Sequence, residues 1–325
     1  GAARSCAQSA AIRSVLSDPV IANPLCALRR LRLRASRMDG KPQSLGPAPP
    51  PAPGAGARAA AGSAEAGAGR WTGFFWFLAK LIALVLALRT LVVAPFVIPS
   101  ESMVPQLLGG DYLLAAKWPY GYSRHSLPFD LPLGEGRLIA RSPARGDIVI
   151  FRHPIDGRDY VKRVIGLPGD RVALVGGVVV LNGQRLAQQP LGNVTIPVSP
   201  NSPCAWGGRV IAARDGRSLC RYAAARETLP SGRAYSVLDF GPTFADNLAP
   251  LTVPPGALFV LGDNRDNSRD SRFPAAAGDA VGLVPQDLLV GRAWVIVWSS
   301  NGSATWSNPA SWLAAVRWER IGAVL

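Results

Sequence analysis

The spacing of hydrophobic and polar positions changes character along this 325-residue chain. Residues 1–70 show no period, and a Pro/Ala/Gly tract occupies the stretch near Gly46–Gly69. Such a composition buries too little apolar surface to offset the entropy of ordering, which predicts a disordered leader. The first methionine is Met38, so residues 1–37 are expected to lie upstream of the natural start. Trp71 to Ile98 is almost continuously apolar. About 20 such residues cross a bilayer as a helix, which predicts a transmembrane helix over 71–98. Lys80 and Arg89 interrupt the run, and snorkelling toward opposite faces relieves their cost. A buried soluble helix has the same composition. A cleavable secretory signal needs a shorter apolar core and a small-residue cleavage site, which Ala94-Pro95-Phe96 does not supply. The uncleaved span is the preferred reading.

After Pro99 the apolar runs shorten to strand length. Ile148–Phe151, Leu258–Leu261 and Trp294–Trp298 are such runs, and Val172–Leu174 and Val178–Leu181 flank Gly176-Gly177 as a hairpin. Residues 185–255 are polar and irregular and read as an inserted subdomain. This divides a mainly β domain into 99–184 and 256–300, with a tail at 301–325. Asn308-Pro309 predicts a helix running to about Ile321. Its Trp312, Leu313, Val316 and Ile321, mixed with Arg317 and Arg320, suit either a membrane surface or packing on the β-core.

The net charge of +14 suits nucleic acid or anionic lipid. No aromatic-rich basic motif of a nucleic-acid module is present, which favours lipid. Basic residues dominate before Trp71, with Arg58 and Arg70 on the flank of the apolar run. The positive-inside rule then puts that end in the cytoplasm and the chain after about Pro99 in the periplasm of a double-membrane bacterium. None of the four cysteines has C-x-x-C spacing, which argues against a zinc site. Cys204 and Cys220 either remain free or close a loop worth roughly 3 kcal/mol. A disulfide needs an oxidising compartment, in agreement with the topology.

The only histidines, His125 and His153, lie in loop-like contexts and read as surface residues. No H-E-x-x-H pattern, carboxylate–histidine cluster or phosphate loop occurs, so neither a metal nor a nucleotide cofactor is expected. What remains is Ser102, in Pro99–Pro105, and Lys162, in a strand-like run with Tyr160, Val161, Val164 and Ile165. Lysine can activate serine only if desolvation keeps it neutral near pH 7. If Lys162 faces inward, strand alternation turns Arg163 outward; the opposite choice leaves the lysine in solvent. A third stretch, Leu261–Arg272, is densely polar and forms either a solvated turn or a buried network supporting a site.

Together these stretches resemble the signature boxes of bacterial type I signal peptidase, a Ser-Lys membrane protease. Pro99–Pro105 resembles P-S-x-S-M-x-P, continuing to Gly110-Asp111. Arg145–Phe151 and Tyr160–Asp170 are similar to its R-G-D and Y-[IV]-K-R-x-[IV]-G-x-P-G-D patterns, and Gly262–Arg272 to G-D-N-R-D-N-S-x-D-S-R. The resemblance extends over roughly residues 75–300. Gln106 departs from the usual Thr, and Phe273–Ala280 is longer than usual before Gly282.

The resemblance implies an antiparallel β-sheet catalytic domain with a smaller inserted β subdomain behind one N-terminal transmembrane helix. It implies Ser102 as nucleophile, Lys162 as general base, and Ser268 orienting the lysine with Tyr160 beside it. The Ser102 N–H and the Ser100 hydroxyl would form an oxyanion hole, and Asp270 and Arg272 would pair to hold the third box. Phe96, Ile98, Leu107 and Val161 would line small pockets that select Ala-x-Ala before the cut. The implied partners are preprotein signal peptides and membrane lipids, not nucleic acid, with the chain acting as a monomer. A conjugation-pilus maturation peptidase and a non-catalytic membrane-anchored binding protein are the rival readings; a soluble self-cleaving repressor would lack the apolar span.

Overall fold

The computed structural model describes residues 62–126 and 136–325. The expectations for residues 1–61, including those on Met38 and residues 1–37, lie outside the described residues. Helix α1 covers Gly62–Leu91. Its stretch Trp71–Leu91 has 21 residues, a mean hydropathy of 2.0 and no residue buried by the rest of the protein in its most apolar window. A core helix of a soluble protein would be mostly covered, so this helix is long and apolar enough to cross a membrane. It starts before Trp71, inside the segment expected to lack order. It also stops at Leu91 instead of reaching Ile98, because strand β1 takes Val93–Val97. The β-branched Val92, Val93 and Val97 favour strand, and Pro95 offers no N–H to a helix.

The strands after β1 are β2 (Asp111–Ala116), β3 (Ile148–Arg152), β4 (Asp159–Gly166), β5 (Arg171–Val175), β6 (Val178–Leu181) and β7 (Gln184–Arg185). Then follow β8 (Ala187–Pro197), β9 (Arg209–Ala212), β10 (Ser218–Thr228), β11 (Ala234–Leu238) and β12 (Leu248–Thr252). The last are β13 (Ala257–Leu261), β14 (Val284–Pro285) and β15 (Leu289–Ser299), before the short helix α2 (Pro309–Ala314). The main sheet has the order β1-β2-β15-β3-β4-β13-β14, antiparallel throughout. Pro95 is tolerated because β1 is an edge strand. A smaller sheet runs β12-β5-β6-β7; Gly176 and Gly177 turn its first hairpin with φ of 56° and 76°. Positive φ at both central residues is what a type I′ turn demands.

Residues 185–255 are not irregular. They contain the sheet β11-β10-β8 with β9 alongside β10, and β12 then returns to pair with β5. Strand β10 turns Cys220, Tyr222, Ala224 and, past a bulge, Glu227 inward. Alternation carried by Cys, Ala and Glu is faint in hydropathy, which hides the strand in the sequence. The tail also differs: α2 starts under an Asn308 cap, with Ala310 N donating to Asn308 Oδ1 at 3.1 Å, but ends at Ala314. The chain then turns back onto the main sheet. Arg317 donates to Gly109 O at 2.8 Å and Ser202 Oγ at 2.9 Å, and Arg320 reaches Asp111 at 2.6 Å. Packing on the β-core thus claims the arginines, while Trp312 and Leu313 stay exposed.

Cys204 and Cys220 form a disulfide across 16 residues, with Cα atoms 5.2 Å apart, at the edge of the core that holds Tyr222 and Leu238. Closing a loop of this length restrains the unfolded chain by roughly 3 kcal/mol. Reduction is therefore expected to lower the unfolding free energy by about that amount. Urea unfolding with and without reductant measures it; an unchanged midpoint would refute the assignment.

Candidate active site

Strand β4 positions the lysine. It pairs Lys162 with Val149 and Arg163 with Ile148 on β3, so the two cations point to opposite faces of the sheet. Lys162 is 3% exposed and Arg163 5%, so the expectation that Arg163 faces solvent is wrong. Both faces of the sheet are covered. Arg163 makes a bidentate pair with Asp263 at 2.7 and 2.6 Å, donates to Gly146 O at 2.8 Å and lies 4.1 Å from the Tyr235 ring.

The serines sit in the turn leading from β1 toward β2. Ser102 is nearly buried, and its carbonyl accepts from Asn264 N at 3.1 Å, while Asn264 Nδ2 donates to Glu101 O at 3.2 Å. The polar third stretch thereby grips the backbone of the first. Lys162 Nζ donates to Ser102 Oγ at 2.7 Å and to Val161 O at 3.2 Å. The hydroxyl of Ser100 is 3.3 Å from that of Ser102. Burial pushes the Lys162 amine down to about 8; Asp270 and Asp263 favour its charged form and Arg272 opposes it. The Tyr160 ring, stacked on Phe151, has its centroid 5.8 Å from the amine.

Asp270 accepts from Gly262 N at 3.1 Å and from Arg272 Nε at 2.8 Å, and Arg272 also donates to the carbonyl of Arg265. Ser268 differs from its expected place. It makes no bond to Lys162, whose donors go to Ser102 and Val161, and its buried hydroxyl has no partner among the described residues. The expected pocket is also revised. A cleft of about 360 Å³ opens on Ser102 and Lys162 between Ile98, Met103, Tyr160 and Val161. Leu107 lies fully inside the core, and Phe96 packs partly on the same cluster and lines a different cavity. Met103 is the wall residue that the sequence did not single out.

Neither histidine bonds to Ser102 among the described residues. His153 is not at the surface: it is 1% exposed, 2.9 Å from the carbonyl of Ala280, with its ring 4.9 Å from Tyr160. Also unforeseen is Glu227 on β10. It accepts from Arg265 at 2.6 Å, Tyr235 at 2.5 Å and Gln188 at 3.0 Å, all within the fold. One glutamate among alanines and arginines carries no signal of this in a single sequence. No cluster of His, Cys, Asp or Glu suited to a metal ion occurs among the described residues.

Comparisons with known proteins bear on this arrangement. A family model described as "Signal peptidase, peptidase S26" matches residues 71–298. The signal peptidase I of Rickettsia akari is 35% identical over 76% of this chain and 90% of its own length. That of Rickettsia typhi is 35% identical over 74% and 88%. A solved signal peptidase I from Enterococcus faecalis is 26% identical, covering 47% of this chain and 97% of that one. Its TM-score of 0.25 is too low for the overlay to carry any argument.

Gly262 is the tightest point beside the serine. A Cβ there would lie 2.3 Å from Ser268 Oγ and 2.5 Å from Ser102 O. The substitution Gly262→Ala is expected to displace the serine turn, costing about 1–3 kcal/mol of stability and at least tenfold in rate. Peptide cleavage kinetics with parallel thermal unfolding check it; wild-type values in both would show that the contact yields freely.

Proposed function

We propose that this chain, which belongs to the bacterial type I signal peptidases and is thus a serine endopeptidase that removes signal peptides, works through a Ser102–Lys162 dyad. The observation that carries this is the 2.7 Å approach of Lys162 Nζ to Ser102 Oγ, with the lysine desolvated. Ser102 Oγ attacks the scissile carbonyl as the neutral lysine takes its proton. The oxyanion develops against the Ser102 N–H and the Ser100 hydroxyl. Collapse expels the amine of the mature chain, which receives the proton from Lys162, and leaves the signal peptide as an ester on Ser102. Lys162 then deprotonates a water that attacks this ester and regenerates the serine. Ser268 is left out of this proton path because its hydroxyl makes no bond to the amine; Tyr160 screens the amine from water.

Ile98, Met103 and Val161 leave narrow wall space, which favours small side chains before the cut, as in Ala-x-Ala. Helix α1 anchors the chain, with its basic N-terminal flank in the cytoplasm and the β-domain in the periplasm. Exposed aromatic pairs support a lipid-facing surface: Trp118–Trp294 at 5.6 Å and Trp298–Trp318 at 6.2 Å. Tryptophan suits the interface because its ring is apolar and its N–H polar. One chain carries both members of the dyad, so the reading needs no second copy to complete the site.

Ser102→Ala and Lys162→Met are each expected to lower preprotein cleavage by roughly 10³-fold or more in detergent-solubilised protein. The wild-type rate should rise with pH as the ammonium is lost, with the limb centred near 8 instead of at the ordinary 10.5. Full activity of either variant, or a limb at 10.5, would overturn the dyad. The same shift has a stability sign. A folded-state value near 8 against 10.5 means that the unfolded chain binds the proton more tightly, so stability rises between those values. Below them the full penalty stands, and Lys162→Met is expected to be more stable near pH 7 by about 3 kcal/mol.

A further inference from the structure

A second concavity of about 530 Å³ shares Arg269 with the catalytic cleft. Its walls are Trp206, Phe244 and Phe273, and its polar side is the third stretch at Arg265, Ser268 and Arg269. Trp206 is 67% exposed and Phe244 81%, although rings of this size are usually well covered in a folded chain. Phe244 meets Phe273 edge to face at 5.8 Å, and the Arg269 guanidinium lies 5.0 Å from the Phe273 ring. The wall is therefore a built aromatic surface and not one stray side chain.

The polar side is incomplete. Arg265 is 3% exposed; its Nη2 is taken by Glu227 at 2.6 Å and its Nε by Gly262 O at 3.2 Å. Its Nη1 has no hydrogen-bond partner among the described residues, and neither has Ser268 Oγ. Both atoms are buried, so what the groove presents to a ligand is its aromatic wall and Arg269, whose side chain is 55% exposed. The groove joins the cleft at the same loop whose Asn264 holds the carbonyl of Ser102 at 3.1 Å. An extended substrate must leave Ser102 in two directions. The cleft between Ile98 and Val161 takes the residues before the cut, and the groove, continuous with it at Arg269, offers apolar walls and a cation to those after it.

We infer that this groove binds the segment of the preprotein that follows the scissile bond, as an extended peptide whose oxygens accept from the exposed Arg269 and whose apolar side chains lie against Trp206 and Phe244. This rests on the Ser102–Lys162 reading above. The occupant is a peptide and not a lipid tail, because the groove continues from the Ser102–Lys162 cleft at Arg269 and places an exposed guanidinium beside its aromatic rings. The signal peptide alone then does not provide all of the binding, and the start of the mature chain contributes.

The test uses the full chain in detergent micelles and two peptides with the same signal-side sequence and Ala-x-Ala end. One stops at the first residue past the cut, and the other continues for eight more. The wild type is expected to show a higher kcat/KM on the longer peptide. In a Trp206→Ala/Phe244→Ala double variant the ratio of long to short is expected to fall about tenfold, mainly through KM. Both rings are exposed, so the fold is not at stake, and a thermal unfolding midpoint confirms it. Equal use of the two peptides by the wild type, or an unchanged ratio in the variant, overturns the inference. A loss that is equal for both peptides and confined to phosphatidylglycerol vesicles assigns the rings to lipid and overturns it as well. Full cleavage of either peptide by Ser102→Ala overturns the dyad instead, and the groove's role falls with it.

Discussion

Burying an amine disfavours its charged form, but a free carboxylate nearby would restore that form. Lys162 has two such carboxylates in its field, Asp270 and Asp263. Each is held by a guanidinium: Asp263 by Arg163 at 2.6 Å and Asp270 by Arg272 at 2.8 Å. All four side chains are buried. A buried pair adds little to stability, since desolvation offsets most of the attraction. Here Arg272 opposes the pull of the carboxylates on the lysine, and desolvation, the larger cause, prevails. They also fix the loop after β13, whose Asn264 places the serine backbone. One arrangement therefore sets both the charge of the lysine and the position of its partner.

The inserted sheet belongs to this arrangement. Without it, the Arg163 face of β4 would open to water, and a hydrated Arg163 would hold Asp263 more loosely. Tyr235 of β11 lies over the Arg163 guanidinium and donates to Glu227 of β10, which in turn holds Arg265. Backbone bonds reinforce the attachment: Leu238 N donates to Asp263 O at 2.8 Å, and Phe240 N to Asp266 at 2.6 Å. Chain continuity makes 185–255 look like an appendage, but its polar contacts end on the loop that supports the serine.

What could be read in the sequence follows how locally each feature is encoded. The apolar span, the Gly-Gly hairpin and the short β-runs are local patterns, and the structure places a helix or strand at each. The residues alone leave the pairing of Lys162 with Ser102 as one of two alternatives, and the resemblance makes it a definite expectation, since 60 residues separate them. Arg163 was misjudged because alternation gives the face of a residue and not whether that face is covered. Leu107 was misplaced for a related reason: a leucine after the serine turn serves a core as well as a pocket. Ser268 shows the limit of residue-by-residue transfer. The side chain lies beside the serine backbone, but its hydrogen bond depends on a rotamer that sequence does not encode. Glu227 and His153 are single polar residues whose partners come from distant strands.

The distance between helix and cleft adds a geometric constraint. Only Val92 separates α1 from β1, and five strand residues then lead to Ile98 at the cleft wall. At about 3.3 Å per residue this path is roughly 20 Å long. The last turn of the helix is tied down: Lys117 donates to Arg89 O at 3.0 Å and Tyr122 to Leu91 O at 2.6 Å. These bonds satisfy carbonyls that a helix end leaves free, and the lysine charge suits the negative pole of the helix dipole. For a helix that spans the bilayer, the cleft is thus held within a short, fixed reach of the membrane face instead of swinging on a linker. With the topology proposed above, a peptide emerging from the bilayer would meet the serine without first diffusing away from the surface, and anchoring and chemistry would share a single rigid connection.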